Sequence, residues 1–446
     1  MVRLRERVTE RSLGQIDELA ELVRDLHKPL RDAQDLDPLI ERIGEARYVL
    51  LGEASHGTSD YYTWRSRISK RLIAERGFSF IAVEGDWPDC YRANRYAKAM
   101  RNSGDSARQV LHTFDRWPTW MWANWEVVAH LEWLHRHNQA LSPKDRVGFY
   151  GLDVYSLWDS LHAVMNYVNC DGQVLQAAKA ALDCFQPFGQ DAITYARATA
   201  MIPRSCQSEV SSMLAELRRC APRYTEDGQE GFFDAEQNAL IVKNAEQYYR
   251  TMIRANDESW NIRDRHMVET LERLMSFHGP KSKAIVWEHN THVGDARATD
   301  MAAAGMVNVG QLVREANRRE DVAIVGFGSH RGSVIAGGYW DAPMEHMRVP
   351  PAQQASWEDV FHRTRRGDQL LLLDLAAPDI LLEPRGHRAI GVVYDPDRER
   401  YGNYVPTILP KRYDAFIYIE EAHALHPLHL KPHAGHDPPE TYPWGV

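Results

Sequence analysis

Residues 48–57 read Tyr-Val-Leu-Leu-Gly-Glu-Ala-Ser-His-Gly. Four apolar residues, Tyr48–Leu51, break at Gly52 into a turn that carries Glu53 and His56. A short continuous apolar run closed by a glycine turn is how a strand buried on both faces reads. The same shape recurs. Phe80–Val83 runs into Glu84-Gly85-Asp86-Trp87, and Val147–Tyr150 into Gly151-Leu152-Asp153. Ala284–Trp287 runs into Glu288-His289-Asn290-Thr291-His292-Val293-Gly294-Asp295. Further strands are predicted at Val322–Val325, Leu370–Leu373, Ala389–Val393 and Ala415–Ile419.

Helical patterns separate these runs. Tyr61–Arg76 places Ile68, Leu72 and Ile73 at helical spacing, and Trp125–His137 and Leu157–Val168 are similar. Strand–helix alternation predicts an α/β fold with a mostly parallel central sheet flanked by helices. Residues 157–278 contain no strand pattern but carry long helical ones, Cys206–Arg219, Asp234–Ile253 and Ile262–Ser276, with a polar loop at Pro222–Gly231. They read as a large helical insert capping the active-site end of the sheet. The expected organisation is residues 1–156 and 279–420 as two halves of the α/β core, 157–278 as the insert, and 421–446 as a Pro/His-rich tail over the surface.

Composition narrows the class. The chain has 446 residues, 44% hydrophobic and 26% charged, with a formal net charge of −9 and pI near 6.1. A mildly acidic globular chain has no electrostatic reason to bind phosphate backbones, so no nucleic-acid partner is expected. The N-terminus is charged from Arg3 onward, with no signal-peptide pattern, and no stretch approaches the ~18 apolar residues of a membrane span. The expectation is a cytoplasmic protein without a membrane partner. The five cysteines (Cys90, Cys170, Cys184, Cys206 and Cys220) are widely spaced and suggest no disulfide framework or zinc ribbon. Cys90 reads as a buried thiol.

In open α/β sheets, ligands sit outside the carboxyl ends of the strands. Four of the predicted strands end in ionisable residues there, two of them with histidines. One such acid is explained as a helix cap; four together argue for a shared polar cleft. Glu53 lies three residues before His56 on a tight turn, and a carboxylate beside an imidazole suits a general base that takes a proton from water. His289 and His292 stand at i and i+3. Arg65, early on the next helix, is placed to hold a carboxylate or stabilise an oxyanion. Ser55 lacks the Gly-x-Ser-x-Gly context of a nucleophile. A divalent metal held by His56, His289, His292, Glu53 and Glu84 is the alternative, although His-Glu-x-x-His is absent. Asp86, Trp87, Asp153, Trp260 and Asp295 are the candidate substrate-binding residues. The scattered C-terminal histidines (His423, His426, His429, His433 and His436) read as surface or packing residues.

Together these segments resemble the erythromycin esterase family. The resemblance rests on Gly52–Gly57, Arg65, Val83–Asp86 and Trp287–His292, with Gly151–Asp153, Ser259–Met267 and Arg388–Tyr394 in support. It implies a hydrolase of small-molecule esters or lactones with no cofactor. It further implies His56 as the base, Glu53 as its orienting partner, and Glu84, Arg65, His289 and His292 as the rest of the polar cluster. The Ser259–Met267 segment is more similar to the broader members than to those acting on macrolides. Beside this stand a metal-dependent hydrolase on the same residues, and a transferase or binding protein that uses the same cleft.

Overall fold

The computed structural model describes residues 13–168, 172–189, 191–201, 205–219, 228–254, 256–374 and 378–429. A nine-stranded sheet organises them. Its parallel block comprises β2 (Tyr48–Leu51), β3 (Phe80–Asp86), β4 (Gly148–Asp153), β5 (Ala284–Trp287), β6 (Val322–Gly337) and β11 (Ala415–Ala422). These lie in the order β11-β6-β2-β5-β3-β4. Beyond β11 the sheet continues antiparallel through β8 (Gln369–Leu372) to β1 (His27–Pro29), and β7 (Met344–Val349) folds back on the far end of β6.

The apolar runs become strands because both faces are covered. Every residue of β2 and β5 is buried. On one face Leu51, Val83 and Trp287 pack with Ile68 and Leu72 of the Ser59–Arg76 helix; on the other, Leu50, Ala82 and Val286 meet Met267 and Leu271. The order β2-β5-β3-β4 makes the four motif-bearing strands consecutive neighbours. Parallel strands side by side present their carboxyl ends side by side, so this order alone brings the four charged turns together.

Residues 157–278, where described, are helical, from Leu157–Tyr167 to Asn256–His278. Leu161, Val210, Leu240 and Tyr249 belong to a hydrophobic cluster of their own. The last helix returns along the sheet and places Trp260, Arg263 and Asp264 over the strand ends. Cys184 and Cys206 are joined by a disulfide in this region, where the cysteine spacing suggests no framework. Cys90 is a buried free thiol.

Three predictions of local structure change. Ala389–Val393 is not a strand: the strands there are β9 (Arg385–Arg388) and its hairpin partner β10 (Tyr404–Thr407). Ile390 and Val393 make only isolated bridges, to Ser55 and Gly337. The apolar run is used to plug the end of the sheet, not to extend it. Of the Pro222–Gly231 loop, residues 222–227 lie outside the described residues, and Gly228–Gly231 is already helix. The tail does more than drape: Leu425 N–H donates to Gly57 O and Ala424 bridges Thr58. His423 and His426 are exposed beside Asp60 and Glu126, whereas His433 and His436 lie outside the described residues. No helix among the described residues is long and apolar enough to cross a membrane.

Gly57 is the tightest point of this arrangement. A Cβ there would stand 1.8 Å from the Ile335 carbonyl oxygen of β6, a backbone atom that cannot swing aside. Gly57→Ala is therefore expected to destabilise the fold by about 1–3 kcal/mol or more, read as a lowered urea midpoint, while Ser55→Ala leaves the midpoint near wild type. An unchanged midpoint for Gly57→Ala would show that the turn is not clamped against β6.

Candidate active site

Each strand end delivers its side chain through a local device. The turn after β2 carries Glu53 and His56 back toward each other, and His56 Nδ1 donates to Glu53 Oε1 at 2.8 Å. The other carboxylate oxygen of Glu53 meets Arg65 at 2.6 Å. Arg65 is fully buried, with its guanidinium over the rings of Tyr62 and Trp287. A shift in register between Val83 and Asp86 turns Glu84 out of the β3 ladder. There it accepts from His289 N–H at 2.8 Å and from Arg263 at 2.8 Å. His289 caps the short helix Asn290–Val293, where its Nδ1 accepts from Thr291 N–H.

Arg263, absent from the residues singled out above, is the hub. Its Nε and one terminal nitrogen grip both oxygens of Asp153, at 3.0 and 2.7 Å. The same terminal nitrogen reaches Glu84, and the second donates to His292 Nε2 at 3.0 Å. His292 Nδ1 in turn faces Asp264 at 3.0 Å, and Trp260 stacks flat on the His292 ring. Both nitrogens of His292 and one of its faces are thus occupied. Trp260, Arg263, Asp264 and Met267 stand at i, i+3, i+4 and i+7 of one helix, a single face. That spacing was the signal available in the Ser259–Met267 segment.

Above these groups lies a cavity of about 590 Å³, within the range typical of small-molecule sites. Of the expected catalytic set only His56 and Glu84 line it. Glu53 and Arg65 lie beneath His56, and His289 and His292 are buried behind the wall. His56 and His289 are nonetheless neighbours, with ring centroids 4.9 Å apart. Asp86, Asp153 and Trp260 line the cavity, Asp86 in a salt bridge to Arg116. Trp87 and Asp295 do not. Trp87 points into the core, stacked between Tyr91 and Tyr150, and its Nε1–H donates to Asp234. Asp295 turns away to pair with Arg297 and Arg314. Aromatic residues from distant segments complete the walls, among them Trp117, Trp122, Tyr155, Tyr248, Trp340 and Tyr404.

The charges set the two neighbouring imidazoles apart. Burial works against a charged His56, but the Glu84 carboxylate and the Glu53 hydrogen bond outweigh it, so its pKa lies above the ordinary imidazole range. For His289, burial and then the neighbouring His56 act together, and its pKa falls well below that range. Two like groups whose environments drive their pKa values apart are the usual mark of divided acid–base roles. Glu288 is buried, and among the described residues neither of its oxygens has a hydrogen-bond partner. Burial, then the nearby Glu84 and Asp264, push its pKa well up, which keeps it a neutral acid. Ser55 is buried, hydrogen-bonded to Thr58, and does not line the cavity. Among the described residues, no group of three or more His, Cys, Asp or Glu side chains is arranged to hold a metal ion.

A parallel α/β sheet with a His/Glu/Arg constellation under an aromatic cavity at its carboxyl end defines an enzyme-type site. Residues 73–422 match the erythromycin esterase family model, and the chain belongs to that family. It is similar to an erythromycin esterase type II of Escherichia coli, 26% identical over 140 residues that span 30% of this chain and 31% of that protein. It is also similar to a putative hydrolase of Bacillus subtilis, 21% identical over 87% of this chain and 86% of the other. A mutant erythromycin esterase solved in an open conformation shares the fold, with a TM-score of 0.65 at 17% identity over 88% of this chain and 95% of that one. These relations support a hydrolase at the coarse level. The matched region begins after Glu53, His56 and Arg65, so those three residues stand on their geometry.

The sign of the His56 shift can be tested directly. Its imidazole resonances should titrate above the ordinary value of about 6.5, and Glu84→Gln should move the midpoint down, because it removes the strongest influence favouring the imidazolium. A midpoint that stays or rises in the variant would contradict this electrostatic assignment.

Proposed function

We propose that the protein hydrolyses an ester or lactone of a small molecule, with His56 as the general base. The observation that carries the reading is the pairing of His56 Nδ1 with Glu53, which leaves Nε2 free on a ring that lines the cavity. Glu53 fixes the tautomer and stabilises the imidazolium, and Arg65 holds Glu53 from behind. His56 Nε2 takes a proton from water as the oxygen bonds to the carbonyl carbon. The carbonyl electron pair moves onto oxygen. When the tetrahedral intermediate collapses, the carbonyl re-forms, the bond to the leaving oxygen breaks, and the imidazolium returns the proton to that oxygen. The raised pKa of His56 favours proton uptake, and it makes activity rise with pH as the imidazolium of the resting enzyme is lost.

We read the reaction as independent of a metal. Arg65 and Arg263 already bring positive charge to this cluster, and like charge opposes a divalent cation. His292 has no nitrogen left for one. Water attack is likewise favoured over an acyl-enzyme, because Ser55 faces Thr58 and the adjacent imidazole is bonded to Glu53.

Assays over an ester panel that includes aryl esters and erythromycin test the reading. His56→Ala and His56→Asn should each lose about 10²–10⁴-fold in rate while remaining folded, and Ser55→Ala should keep most of the activity. Near-wild-type rates for His56→Ala would end the general-base mechanism. In a separate experiment, activity should survive dialysis against a chelator. Activity lost on chelation and restored by one equivalent of metal would turn His56 from a base into a ligand.

A further inference from the structure

The reaction just described builds negative charge on the substrate's carbonyl oxygen, and something must receive it. From sequence, Arg65 or a histidine is the natural choice. The geometry removes both. Arg65 has no exposed surface and does not line the cavity. His289 and His292 are buried behind the wall, and His292 is hydrogen-bonded at both nitrogens. Arg116 lines the cavity but is engaged by Asp86 and Asp159.

Arg263 remains. Arg263 lines the same cavity as His56 and Glu84. A guanidinium carries five N–H donors in a fixed plane. Four are used: Nε–H and one terminal N–H on Asp153, one on Glu84, and one on His292. The fifth, on the nitrogen that holds His292, has no acceptor among the described residues. Asp153 grips the group at two points, and its Cζ lies over the Tyr155 ring, 4.8 Å from the centroid. A donor fixed before the reaction and left without a partner at the cavity wall is what stabilises a developing oxyanion most effectively.

We propose that Arg263 is a catalytic residue of this site, its unpaired N–H donating to the oxyanion of the tetrahedral intermediate, with His292 and Asp264 as positioning residues that hold its plane. The proposal rests on the hydrolytic reading above and adds the electrophilic half to it. It also accounts for the orientation of His292: with Nδ1–H on Asp264, only Nε2 is left to accept from Arg263, which steers the remaining N–H of that nitrogen.

Phenylboronic acid supplies a test that does not need turnover, since on taking hydroxide it becomes a tetrahedral monoanion shaped like the intermediate. Boron NMR should show the tetrahedral species bound to the wild-type protein and to Arg297→Gln, a charge-matched control on the remote Asp295 pair. Arg263→Gln should lose it. Arg263→Lys keeps the cation against Glu84 and Asp153 and so guards against misfolding; it should bind the boronate about 10²-fold more weakly. On an ester that the wild type hydrolyses, Arg263→Lys should lower kcat by a similar factor with KM little changed, and Asp264→Asn should lower kcat less. Wild-type boronate binding in Arg263→Gln, or no tetrahedral species on the wild type, overturns the proposal. If His56→Asn is inactive while Arg263→Lys keeps wild-type kcat, the assignment of Arg263 falls alone. If His56→Asn retains turnover, it is the hydrolytic reading that falls.

Discussion

A carboxylate taken out of water must be met by a cation or by several donors, and four of them converge beneath this cavity. Each is answered. Glu53 lies between His56 and Arg65, Glu84 between Arg263 and the His289 amide, and Asp153 on Arg263. Asp264 sits between His292 and the Val309 amide. Breaking one partner of a buried pair typically costs 3–5 kcal/mol, because the other charge stays behind. The strand ends, the Ser59–Arg76 helix and the returning Asn256–His278 helix are therefore tied to one another through these pairs. The geometry of the site follows from that requirement as much as from the packing of the sheet.

The network separates groups that touch the cavity from groups that hold them. His56, Glu84 and Arg263 reach it; Glu53, Arg65, His289, His292 and Asp264 stand behind. Negative charge around His56 favours its imidazolium, whereas the neutral His289 lies beside it, ring tilted, without competing for the proton. A side chain in the second group can matter to the chemistry only through the one it positions. That distinction separates Arg65 from Arg263, which the amino-acid type alone cannot do.

The cavity walls come from elsewhere in the chain. Trp117 and Trp122 lie between the Ala107–Leu111 and Trp125–Gln139 helices, Tyr248 on the Gly228–Met252 helix, Trp340 between β6 and β7, and Tyr404 at the start of β10. Trp117 and Trp340 meet edge to face with centroids 5.2 Å apart, closing one flank. A solved structure at 17% identity shares the fold with this chain. Loops and inserts vary more readily than the sheet that carries the polar groups, so the walls, not the constellation, set what fits.

The strands whose character is local are legible in the linear pattern. Tyr48–Leu51 and Ala284–Trp287 are buried on both faces, and continuous hydrophobicity leaves them no other reading. The charged turns at four strand ends are legible there too, because a break into polar residues after such a run, with glycine at Gly52, Gly85 and Gly151, marks the carboxyl end of a buried strand. The rest depends on contacts between segments distant in the chain. Ala389–Val393 has the composition of a strand, yet its neighbours in space are Ser55 and Gly337, which offer single bridges and no ladder. Trp87 and Asp295 sit beside the right motifs but turn toward Asp234 and toward Arg297 and Arg314. Arg263 meets Asp153 and Glu84 from 110 and 179 residues away because the face its helix presents is fixed by what the helix packs on. Side-chain direction at a turn or a helix surface depends on partners distant in sequence, and that is the information a linear pattern does not carry.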